Sequence, residues 1–134
     1  MADPIIVREW LIKADEDFDF AKSNLKEASD FNAQICFHFQ QAAEKYLKSF
    51  IVAYDLEFEK MHNLIILLKT CAEKEHSLIS LMDNCELLNT AYIETRYPVH
   101  WPTDYTRDKA LKMREAAEKI SRTIKELLKQ GGYL

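Results

Sequence analysis

Apolar residues return along this chain at steps of three and four, and no alternation at steps of two persists. That is the period of a helix face rather than of a pleated strand. Asp3-Pro4 supplies a start signal, since aspartate caps free amides and proline is tolerated in a first helical turn. From there Ile6, Trp10, Ala14, Phe18, Ala21 and Leu25 predict the inward stripe of a helix reaching about Ala28. A second helix is predicted from near Asp30 to about Tyr54, about 36 Å long at 1.5 Å per residue. Its inward positions are Ile35, Phe39, Ala43, Tyr46 and Phe50. A third helix follows His62-Asn63 with Leu64, Leu67, Leu68 and Cys71, and a fourth spans about Leu78 to Tyr92 with Leu78, Leu81, Cys85, Leu88 and Tyr92 inward. The last helix begins at Thr106, with Asp108 suited to the positive end of the helix dipole. It presents Ala110, Met113, Ala117, Ile120, Ile124 and Leu127 before stopping at Gly131. Long helices joined by short turns predict an all-α fold. The expected architecture is an up-down antiparallel helical bundle of four long helices plus one shorter helix, with residues 1–134 as a single domain.

Composition narrows the chemistry. The chain has 134 residues, enough to bury one sizeable core, and its only two glycines are Gly131 and Gly132. A phosphate-cradling glycine loop or a dinucleotide-binding glycine turn therefore cannot be built, and tight hairpins are disfavoured. The net charge of -4 argues against a protein that coats nucleic acid non-specifically, although a local basic cleft remains allowed. Cys36, Cys71 and Cys85 are odd in number, lack C-x-x-C spacing and fall in apolar helical patterns. They read as small buried residues in a reducing compartment, with no metal site and no cofactor expected. The run Asp15 to Asp19, "DEDFD", reads as a solvated helix face rather than as metal carboxylates. No apolar run approaches a membrane span, and the acidic N-terminus is no signal peptide, so a cytoplasmic protein is expected.

Two places carry candidate chemistry. At 100° per residue, Gln34, His38, Gln41 and Lys45 share an arc of about 60° on the second helix. Two amides, an imidazole and an ammonium on one face suit a phosphate or a base, or else form the polar outer face of an amphipathic helix. Phe37 interrupts that face, and an exposed aromatic there suggests a subunit contact. The second place is "ETRYPVHWPTDY", Glu94 to Tyr105, which holds Arg96, Tyr97 and His100 beside two prolines. Pro98 prevents a regular helix from continuing through it. Three residues separate Arg96 from His100.

"CFHFQQAAEKYLKSFI", Cys36 to Ile51, resembles the second-helix signature of HEPN domains (higher eukaryotes and prokaryotes nucleotide-binding). "WLIKADEDFDFAK" is similar to that family's opening helix, "HNLIILL" to its third, "TRYP" to its fourth-helix exit and "YTRDKALKMREAAEKI" to its last. The resemblance covers essentially the whole chain and looks like the minimal single-domain type. It implies a helical bundle, commonly a two-fold homodimer, often paired with a small nucleotidyltransferase in toxin–antitoxin systems. Active relatives are metal-independent ribonucleases with an R-x(4–6)-H motif. In such a site histidine takes the ribose 2′-OH proton and arginine holds the phosphate. Here the spacing is R-x3-H, and Trp101-Pro102 stands where some relatives carry a tyrosine that a partner modifies with AMP.

Three functional expectations follow. The foremost is a nucleotide- or RNA-binding partner of a separate small nucleotidyltransferase, with Gln34, His38, Gln41, Lys45, Arg96 and Tyr97 as binding residues and neither membrane nor DNA as a target. The second is an active ribonuclease toxin with Arg96 and His100 as its catalytic pair. The third is a structural helical dimer with no ligand of its own.

Overall fold

A computed structural model describes residues 2–27, 30–57, 62–96 and 105–134, of which 93–96 by their backbone. Five α-helices run in the order α1 (Pro4–Lys26), α2 (Asn32–Ala53), α3 (Leu64–Lys74), α4 (Met82–Arg96) and α5 (Arg107–Gln130). A 3-10 turn, His76–Leu81, leads into α4, and no strand occurs among the described residues. The starts follow local chemistry. Asp3 accepts from the Ile5 amide, Asn63 from those of Ile65 and Ile66, and Thr106 from that of Lys109, each satisfying donors the first helical turn leaves open.

α2 is the central rod and packs against all four other helices. Cys36, Phe39, Ala42, Ala43, Leu47, Ile51 and Ala53 are wholly buried, so burial extends well beyond the stripe expected from periodicity. α1 lies antiparallel to it, with the Phe18 and Phe39 rings meeting edge to face at 5.5 Å and the Lys48 ammonium over Trp10. α3 starts beside Glu44 and ends beside Tyr54, where Lys74 sits over the tyrosine ring. α4 returns, bringing Tyr92 back to Phe37 near the start of α2. α5 spans the length of the bundle, from Arg107 on the Leu25 carbonyl to Lys125 on Asp15.

Three sequence expectations shift. In the first half of α1 the inward residues are Val7 and Leu11, while Ile6 is 47% exposed and Trp10 half-buried. Counting back from Ala14, seven residues return to nearly the same angle whereas eight overshoot by about 80°, so Val7 faces inward in place of Ile6. The fourth helix begins as 3-10, because Leu78 and Leu81 at an i, i+3 step eclipse each other and are buried together. After Gly131 the chain does not simply end. The Gly131 and Tyr133 amides bond the carbonyls of Leu127 and Leu128, with Gly132 at φ +86°. Tyr133 then buries its ring, donates to the Ala53 carbonyl at 2.6 Å and receives Arg8 on its own carbonyl.

Candidate functional site

The polar row of α2 forms on one face, as its period requires, but the neighbouring helices divide it. Gln34 is exposed. His38 and Lys45 are brought together on one carboxylate of α1. His38 Nδ1 lies 3.3 Å from Asp17 Oδ1, and Lys45 forms an ion pair with Oδ2. Lys45 also lines an open cleft of about 510 Å³ with Glu9, Trp10, Ile12 and Lys13. Gln41 instead donates to Gln40 Oε1 at 2.8 Å. Gln40 is fully buried, and its Nε2 has no partner among the described residues. The positive charge expected from this row is thus partly answered within the chain.

The acidic run behaves differently from a solvated face. Asp17 is only 17% exposed and holds His38 and Lys45, while Asp15 accepts from Tyr46 and Lys125. Burial, and then the bond to Asp15, push the Tyr46 hydroxyl well above the usual phenol range. These carboxylates serve as anchors between α1, α2 and α5. Among the described residues, no group of three or more metal-ligating side chains gathers to hold an ion.

A second polar cluster sits between α2, the head of α3 and α4. Glu44, 3% exposed, takes the Lys48 ammonium on Oε2 at 3.1 Å and His62 Nδ1 on Oε1 at 2.9 Å. The His62 ring lies nearly parallel to Tyr92, centroids 4.8 Å apart, and Tyr92 stacks in turn near Phe37 at 6.3 Å. Asn63, and not His62, caps α3, while Asn89 of α4 accepts from the Leu64 amide. Phe37, expected as a subunit contact, is half-buried against Tyr92 and His38 of its own chain. The α4 backbone continues one helical turn past Tyr92 to Arg96. The Arg96 side chain, Tyr97 and His100 lie outside the described residues.

Sequence reasoning missed Asp17, Glu44, His62 and Tyr92 as partners in these clusters. Apart from Glu44–Lys48, an i, i+4 pair within α2, each contact joins segments far apart in the chain, so no spacing announces it.

A family model, HEPN domain, matches residues 7–127. The chain belongs to the HEPN family. Its fold is that of the crystal structure of an archaeal HEPN homologue, which superposes with a TM-score of 0.74 over 91% of this chain and 97% of that one, at 22% identity. No curated protein matches the sequence. For this HEPN domain the resemblance read from "CFHFQQAAEKYLKSFI" therefore holds over nearly the whole bundle, and the all-α architecture agrees with it. No helix among the described residues is long and apolar enough to cross a membrane.

Proposed function

We propose that this HEPN domain is a nucleotide- or RNA-binding protein that works as the partner of a separate small nucleotidyltransferase, in a toxin–antitoxin type pair. The observation that supports it best is the linkage of the α2 polar row to the end of α4. Gln41 reaches Gln40, Glu44 one turn on holds His62, and His62 stacks on Tyr92, one turn before Arg96. Amides, imidazoles and an aromatic ring on adjoining turns are groups a nucleotide uses for hydrogen bonding and stacking. Arg96 supplies the phosphate contact in this reading, and Gln34, His38, Gln41, Lys45 and Tyr97 the remainder. The single domain pairs as a homodimer, for which the exposed Ile5, Ile12 and Phe20 of α1 offer an apolar strip.

Titration with nucleoside triphosphates and with a short single-stranded RNA tests the binding, and Arg96→Ala is expected to weaken it roughly tenfold, the scale of one charge-assisted hydrogen bond. Absence of saturable binding, together with failure to co-purify with a nucleotidyltransferase encoded beside it, would overturn the proposal. Incubating the same RNA in EDTA separates binding from cleavage by Arg96 and His100. Intact RNA at full saturation is the expected result.

A further inference from the structure

Glu44 and His62 form an arrangement that the binding reading does not by itself require. The Glu44 carboxylate is almost wholly buried and takes the Lys48 ammonium on Oε2, which leaves Oε1 as an acceptor toward His62. When the His62 ring is neutral, the hydrogen must then sit on Nδ1, pointing at Glu44 Oε1 2.9 Å away. That leaves Nε2 with a bare lone pair on a side chain 48% exposed. Tyr92 stacks on the ring at an interplanar angle of 23° and fixes its plane. The result is a fixed acceptor on a half-exposed side chain, with an aromatic ring beside it.

We infer that His62 is a hydroxyl-reading residue of the nucleotide site: its Nε2 accepts from a ribose 2′-OH, so the protein distinguishes ribonucleotides from deoxyribonucleotides. The 2′-hydroxyl is the one donor that RNA has and DNA lacks at the sugar. A fixed acceptor exploits it better than a mobile one, because less side-chain freedom is lost on binding. Glu44 is the positioning residue, and Lys48 holds its other carboxylate oxygen. This inference rests on the nucleotide-binding reading and adds to it a sugar preference and the residue that carries it.

The test uses the full chain, a labelled single-stranded oligoribonucleotide and its 2′-deoxy counterpart, with affinities read by fluorescence anisotropy. The parent is expected to favour RNA by about 5- to 10-fold, the scale of one neutral hydrogen bond. His62→Phe keeps a ring on Tyr92 and removes the acceptor. It should bring that ratio to about one by weakening RNA alone. Long-range proton–nitrogen spectra near pH 8 should find His62 protonated at Nδ1. Equal RNA preference in parent and His62→Phe, or a ring protonated at Nε2, would overturn the inference. A parent that binds RNA and DNA alike removes the role of His62 and leaves nucleotide binding standing, whereas a parent that binds neither removes both.

Discussion

Tyr46 shows how much of this bundle depends on one polar contact. Its ring is buried in the middle of α2, and its hydroxyl reaches Asp15 of α1, which also holds Lys125 of α5. Replacing it with phenylalanine keeps the ring and removes the donor. Tyr46→Phe is expected to cost about 1–2 kcal/mol in urea unfolding, the scale of a hydrogen bond to a charged acceptor. Gln40 gives the opposite expectation. Its Nε2 is buried without a partner among the described residues, a condition that costs free energy, and Gln41 can turn to solvent if its own acceptor is lost. Gln40→Leu should therefore be neutral or stabilising by up to about 1 kcal/mol. Gln40→Leu nearly conserves volume, and a truncation at Leu47, also fully buried, behaves differently. Leu47→Ala opens a cavity and should cost about 2–5 kcal/mol. If Gln40→Leu were as costly as Leu47→Ala, the amide would have to hold a partner in solution. Its burial would then signal a bound group rather than a defect.

The helices stand on their caps as well as on their packing, and the caps are where the chain was most readable. Asp3 and Thr106 each begin a helix in the structure as the local pattern predicts, and Gly131 ends one, while the third helix follows His62-Asn63 as expected with Asn63 as its cap. Such signals act within a few residues, so they survive without knowledge of the fold. Thr106→Ala should lower stability by about 1 kcal/mol by freeing the Lys109 amide, with Thr106→Asp restoring it, as a urea midpoint would show. The inward phase of α1 was less readable, because Ile6 and Val7 are both apolar and only α2 decides between them. The same limit governs the site. Gln34, His38, Gln41 and Lys45 could be gathered from sequence because one helix carries them all. Asp17 lies on another helix, and His62 meets Glu44 across 18 residues and an interhelical turn. Periodicity within an element cannot reveal contacts that depend on how elements dock.

Taken together, the buried acids of this bundle set its behaviour at high pH. Burial pushes the Cys36 thiol from its ordinary 9.0 up to about 12, with the Lys109 charge opposing, and Cys85 likewise up to about 12, with Glu86 adding. Cys71 is raised too, by burial and by neighbouring Cys85, as are the hydroxyls of Tyr46 and Tyr133. In each case the folded state favours the neutral form. Below the thiol's unfolded value both states hold the proton, and the stabilisation is fully present. As pH rises past 9, the unfolded chain releases protons that the folded one keeps, so it gains stability from every further step. Each thiol then lowers folding stability by about 1.4 kcal/mol per pH unit until its folded value is reached. Urea midpoints should thus fall steeply between about pH 9 and 11. Cys36→Ala should flatten the fall even though it costs stability at neutral pH. Thiol-reactive dye should label the native protein near pH 8 only at the rate of opening, since a thiol that stays protonated is a poor nucleophile. Fast labelling of all three cysteines together with a level urea midpoint would mean that they are solvated, and the central rod would not then be enclosed by its four neighbours.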